Sequence, residues 1–273
     1  MVAGLILYLW RRLAGDLAPT YTQWRSGVLI GSLLLVGGIG GLTWAEQYVP
    51  SGIAALIAAA IPLWVVLIET VRRGGNRPTR LTTIGVLIGM AGIIILINPM
   101  GSSDNSFEYN PIGVVVLLLA ALSWAIGSVY SRKAELPKSA LLSTGMELLA
   151  GSAGAFILAL VTGEAGRLDM SGITLGSVAG LVYLIVVGSL IAFVCYTWLL
   201  REAPTTLVVT YAYINPLVAI ILGTLLAQEV LNTRVLIATP LILSAVVLIH
   251  TRQAAVKPVE EHRIIIQQPA GED

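Results

Sequence analysis

Glu147, in the stretch SALLSTGMELLAGSAG, stands about eight residues inside an apolar run of membrane length. That is roughly 12 Å along a helix. A carboxylate at the centre of a spanning helix costs about 2.5–3.5 kcal/mol on insertion scales, so its presence there asks for a reason. One reason is chemical: Glu147 faces a cavity, where it binds a cationic group or takes up a proton during a transport cycle. The other is structural: a hydrogen-bonded acid on a polar helix seam beside Ser143 and Thr144. The sequence leaves both open.

A second constellation lies in TYAYINP, residues 210–216, with Tyr211, Tyr213 and Asn215 ahead of Pro216. A proline inside a helix lacks the N–H that would bond back four residues, so Pro216 frees the carbonyl of Ala212. In a membrane a freed carbonyl must meet protein or cavity water. The tyrosines and the amide then read as a substrate site, or as interfacial and packing groups. Trp124 in SWAIGSVY sits mid-span, away from the interfaces where tryptophan collects. It either stacks on a planar or cationic solute or fills a helix interface. Glu46, at the end of its run, is a gating charge or an ordinary hydrated acid. Trp44 and Trp198 read as interfacial anchors, and Glu69 as an ion-pair partner one turn from Arg72.

Other chemistries are poorly supplied. The single cysteine, Cys195, excludes an intrachain disulfide. The two histidines, His250 and His262, have no ligand-spaced partner, and no HExxH, GxSxG or GxxxxGK[ST] pattern occurs. The reading is therefore not an enzyme, with no metal and no cofactor. A net charge of +1 gives no footprint for nucleic acid.

The elements that must position these residues are set by solvent. The chain is 56% hydrophobic and 11% charged, against about 25% charge in a soluble domain. Its solvent is lipid. Eight runs are long enough to span: 25–47, 50–71, 81–98, 111–131, 139–162, 174–199, 204–228 and 233–251. MVAGLILYLW, residues 1–10, reaches about half way across. Alternate connections hold 14 of the 16 Lys and Arg, which places them and the C-terminus in the cytoplasm. The glycine pairs Gly27/Gly31, Gly37/Gly41 and Gly85/Gly89 favour close helix approach.

The chain also repeats itself. Displaced by 154 residues, TWAEQYVPSGIAALIAAAIPL (43–63) overlies TWLLREAPTTLVVTYAYINPL (197–217) without a gap. Pro50 and Pro62 fall on Pro204 and Pro216, so Pro62 and Pro216 are the paired helix-break positions. The first copy begins its turn outside and the second inside, the signature of an inverted-topology repeat. The second copy has five runs and the first has three and a stub, which predicts that a helix and a half of the first repeat is missing upstream.

VPSGIAALIAAAIPL (49–63), IGVLIGMAGIIILI (84–97), SWAIGSVYSRK (123–133), GMELLAG (145–151) and YAYINPLVAIILG (211–223) together resemble the drug/metabolite transporter superfamily, in its EamA-type branch of bacterial exporters and closest to the YedA-like subgroup. The resemblance implies an all-α integral membrane protein with ten helices in two inverted five-helix repeats around a central cavity. Residues 1–100 would be the truncated first repeat, 101–110 an extracytoplasmic linker, 111–251 the second repeat and 252–273 a disordered cytoplasmic tail. The implied activity is alternating-access export of a small organic metabolite or drug across a bacterial inner membrane, with protons as a possible coupling ion. The alternative is a truncated, non-transporting membrane protein or an assembly partner that needs another subunit. Oligomeric state is open, because glycine seams serve packing within and between chains.

Overall fold

The computed structural model describes residues 1–71, 80–97, 110–167, 172–213 and 233–253, together with 215, 218, 222 and 225. Among these residues all regular structure is helical. The linker 101–109, the tail from 254 onward and Pro216 lie outside the described residues.

Helix α1 (Val2–Leu13) carries Arg11 and Arg12 in its last turn, where cations complement the exposed carbonyls. Arg11 grips Asp16 with two hydrogen bonds of 2.9 and 2.8 Å. That contact holds the Asp16 carboxyl below the ordinary carboxylate range. Helix α2 (Tyr21–Ala45) starts at a capping box: the Gln23 amide N–H donates to Thr20 Oγ1, and the Thr20 N–H donates to the Gln23 side chain.

The next crossing is broken. Helix α3 (Ser51–Ala58) starts from Pro50, and α4 (Ile61–Val71) resumes after a turn at Ala59 and Ala60. Pro62 is the second residue of α4, where its missing N–H costs nothing, so the break falls just ahead of it. Helix α5 (Arg80–Ile97) follows. Helix α6 (Pro111–Ser131) combines Pro111 at the first position with an Asn110 cap, whose Oδ1 accepts from the Ile112 N–H at 3.0 Å. Ser139 caps α7 (Ala140–Val161), and Thr174 caps α8 (Leu175–Glu202). Pro204 opens a short α9 (Thr205–Val208) that tightens into a 3₁₀ turn through Tyr213. Helix α10 (Thr233–Gln253) runs through an internal Pro240.

Five stretches among the described residues are long and apolar enough to cross a membrane: α2, the α3–α4 pair over Ile53–Val71, α6, α7 and α8. The runs at 81–98 and 233–251 form α5 and α10, which pack against each other. The N-terminal part of α8 is almost wholly exposed, with Leu175, Leu181, Leu184 and Ile191 all on the surface. Such a face suits lipid and would be costly in water.

Packing explains the glycines. A Cβ on Gly31 of α2 would collide with the Glu147 carbonyl of α7 and lie 2.9 Å from the Gly151 nitrogen. Gly4 of α1 and Gly145 of α7 meet the opposite backbones at 2.9 Å in the same way. With no large side chain between them the helix backbones approach closely, the usual solution where lipid supplies no hydrophobic drive. One apolar cluster joins the end of α2 with α3, α4, α6 and α10, and another joins α1, α2, α7, α8 and α9.

The 154-residue repeat reappears as geometry. The middle of α2 is wound as a π-helix over Ser32–Gly40, and so is the middle of α8 over Leu184–Phe193. Displacing the first by 154 carries it to 186–194, onto the second. Pro50 and Pro204 hold nearly the same backbone angles (φ −55°, ψ 145° and φ −56°, ψ 136°) at the starts of α3 and α9.

Candidate functional site

Small residues on facing helices leave a space that large ones enclose. Gly38, Ile39 and Leu42 of α2, Ala55, Ala58, Ala59 and Ile61 of the broken α3–α4 pair, and Leu117, Ala120, Ala121 and Trp124 of α6 line a cavity with Tyr211, Ala212 and Asn215. Its volume is about 150 Å³, enough for a benzene-sized group. No described lining side chain is charged. Among the described lining residues, the polar side chains are Asn215 and Tyr211 with the Trp124 indole; the others are apolar.

The Trp124 ring can lie on α2 because position 38 is glycine: a Cβ there would sit 2.8 Å from Trp124 Cε3. Ser123, the neighbouring residue, donates to the Leu33 carbonyl at 2.8 Å and ties α6 to the π-wound part of α2. Behind the wall, Trp124 Nε1–H donates to Tyr196 Oη on α8 at 2.8 Å. Tyr196 Oη and Ser128 Oγ are 2.6 Å apart, and Ser128 Oγ is 2.6 Å from the Trp124 carbonyl. The Tyr196 ring lies 5.2 Å from that of Trp124 and meets Tyr211 edge-on at 5.7 Å. Phe193 closes the group at 6.5 Å from Trp124.

Glu147 occupies a different place. It is fully buried, and neither carboxylate oxygen has a hydrogen-bond partner among the described residues. It does not line the cavity. Ser143 and Thr144 share its side of α7, one turn earlier, and both are engaged with α8. Thr144 Oγ1 is 2.5 Å from Thr197 Oγ1, and Arg201 donates to Ser143 Oγ. Arg201 also donates to the Pro137 carbonyl at 2.9 Å. The expectation of an acid facing the cavity therefore gives way to an acid in the α7–α8 seam. The helical period that puts Glu147 on the face of Ser143 and Thr144 turns it toward α8.

Glu46 is exposed where α2 ends. Tyr213 belongs to the 3₁₀ turn, and its side chain lies outside the described residues. Pro62 is buried at the helix break. Trp44 and Trp198 are both exposed. The structure thus gathers Trp124, Tyr211 and Asn215 on one cavity, and separates Glu147 and Glu46 from it. Sequence reasoning offers Tyr196 only as a weak candidate and does not single out Ser128 or Arg201 as site residues. Ser128 was within reach, being four residues from Trp124 on one helix face. Nothing local shows what Tyr196 or Arg201 meets, because their hydrogen-bond partners lie 58 to 72 residues away in the chain.

A model of the EamA-like transporter family matches residues 1–98 and 111–251. The inner membrane transporter YedA of Escherichia coli K12 is 36% identical over 253 residues, covering 91% of this chain and 78% of that protein. Protein PecM of Dickeya dadantii is 29% identical, covering 97% and 86%. A solved crystal structure aligns with a TM-score of 0.62 at 20% identity, over 94% of this chain and 85% of that one, a likeness of fold alone.

Proposed function

The chain belongs to the EamA-like transporter family, and from that premise we propose that it is a secondary transporter that exports a small organic metabolite or drug across a bacterial inner membrane. The observation that carries this reading is the composition of the cavity wall. Residues 38–61 come from the first family segment, and residues 117–124 and 211–215 from the second. A site at the interface of two repeats is where alternating access places a solute, because rocking one repeat against the other opens it to each side in turn.

The shared π-wound segments and the matching proline starts, 154 residues apart, support the two halves being one folding unit used twice in opposite orientations. In this arrangement the C-terminus is cytoplasmic, a reading that the distribution of Lys and Arg supports. Energy comes from a gradient, with Glu147 taking up and releasing a proton in the α7–α8 seam during the cycle. The uncharged wall favours solutes that enter without an unpaired charge, since a charge buried without a partner is costly.

Proteoliposomes loaded with a soluble bacterial metabolite extract test the reading, with release followed by mass spectrometry. Protein-dependent release of discrete compounds, with saturable counterflow of each, is expected. Absence of any protein-dependent release, with and without a pH gradient, would replace it with the non-transporting reading.

A further inference from the structure

Trp124 in the cavity wall and Tyr196 and Ser128 beside it have a hydrogen-bond assignment that satisfies all three. The indole N–H of Trp124 can only donate, so it donates to Tyr196 Oη at 2.8 Å. Ser128 has one hydrogen and two neighbours, the Trp124 carbonyl and Tyr196 Oη, each at 2.6 Å. If Ser128 donated to Tyr196, the phenolic hydrogen of Tyr196 would have no acceptor among these three groups. With Ser128 donating to the Trp124 carbonyl, Tyr196 donates to Ser128 and every polar hydrogen is used. Buried polar groups adopt the satisfied arrangement. The bonds then close a ring: Trp124 Nε1–H to Tyr196, Tyr196 O–H to Ser128, Ser128 O–H back to the Trp124 carbonyl.

We propose that Tyr196 is a positioning residue for selectivity: its hydroxyl fixes the Trp124 indole at the cavity wall without itself touching the solute. Three observations carry this. Tyr196 is buried and is not among the cavity-lining residues. Its one hydroxyl contacts both ends of Trp124, directly at the indole and through Ser128 at the backbone. Its ring also braces Tyr211, so two aromatic walls of the cavity lean on one side chain from α8. The ring has a consequence for what the wall offers: the polar hydrogen of Trp124 is engaged by Tyr196, so what Trp124 offers a guest is its aromatic face.

The selectivity role rests on the cavity being the solute site, whereas the orientation of the indole does not, so two readouts are used together. The first is ¹⁹F and indole N–H NMR of the whole protein in detergent, with 5-fluorotryptophan at all six tryptophans and Trp124 identified by its loss in Trp124→Phe. Tyr196→Phe is expected to shift the Trp124 fluorine resonance and to speed exchange of its indole N–H about three- to tenfold, the range one lost hydrogen bond gives. Ser128→Ala, which opens the ring from the other side, should move the same resonance less. An unchanged Trp124 resonance in both variants, with retained thermal stability, would overturn the proposal. The second readout is relative release rates of compounds from extract-loaded proteoliposomes. Tyr196→Phe should change the order of preference among them, and should add nothing in a Trp124→Phe background. Additive effects in the double variant would also overturn it, because Tyr196 would then act other than through Trp124. Lack of release by the unaltered protein would instead reject the transporter reading, and with it the selectivity role, while the NMR result still decides whether Tyr196 holds the indole.

Discussion

Around Trp124 the indole and the hydroxyls of Tyr196 and Ser128 are bonded to one another or to backbone, while around Glu147 two carboxylate oxygens lie buried without a donor among the described residues. The first cluster joins α6 to α8 and the second joins α7 to α8; Tyr196 and Glu147 at their centres are both buried, so burial does not distinguish them. Connectivity does. The aromatic cluster closes on itself and is suited to holding a wall still. The acidic seam is left open on one member while its neighbours, Ser143, Thr144, Thr197 and Arg201, bond to one another or to backbone carbonyls. An incomplete buried network is expensive, and that expense is reasonable where a proton must arrive and leave.

The seam depends on a crossing with no spare room. Gly31→Leu would drive a side chain into the Glu147 carbonyl and Gly151. Overpacking of this kind costs about 1–3 kcal/mol or more. Where the clash is with backbone, the expected outcome is loss of a monodisperse folded peak in size-exclusion chromatography. A protein that folds normally with leucine there would show that the two clusters do not share a rigid frame.

Glu147→Gln and Glu147→Leu separate chemistry from stability. Both should reduce transport driven by a pH gradient at least about tenfold. Glu147→Leu should at the same time raise the thermal midpoint, because it removes an orphaned polar group worth about 1–3 kcal/mol. The opposite pattern, stability lost and pH dependence unchanged, would make Glu147 a structural acid.

Arg201→Ala removes a cation that bonds the Pro137 carbonyl and Ser143 Oγ. Hydrogen bonds from a charged group are worth about 1.5–3 kcal/mol. Thermal unfolding should therefore shift down clearly, and proteolysis should become faster at the 132–139 connection between α6 and α7. Ser128→Ala gives the smallest effect, a destabilisation of about 1 kcal/mol for one neutral hydrogen bond. It should leave the pH dependence of transport untouched, whereas the Glu147 variants should not. If Ser128→Ala also altered that pH dependence, the two clusters would be a single network.

Much of the architecture is legible along the chain. The apolar runs at 111–131 and 139–162 became α6 and α7 almost residue for residue, because asparagine, serine and proline at their starts fix where each helix begins. The broken crossing at Pro62 was readable for the same local reason. The π-winding of α2 and α8 was not, since no residue type marks it and its partner groups, such as Ser123 for the Leu33 carbonyl, come from another helix. Trp124, Tyr211 and Asn215 could be singled out by type and depth. That they share one cavity could not.

By itself, then, the sequence determined the solvent this chain is built for, where its helices start and break, and which polar side chains have to be buried. Those properties follow from residue type and local spacing, which a linear reading contains. The tertiary structure decided which of those polar groups would find partners. Trp124 meets Tyr196 across 72 residues and completes a ring, whereas Glu147 is rotated into a seam whose hydroxyls are already taken. The rotation of each helix about its axis settles that difference, and it is set by close contacts such as Gly31 against Gly151 that exist only once the helices have packed.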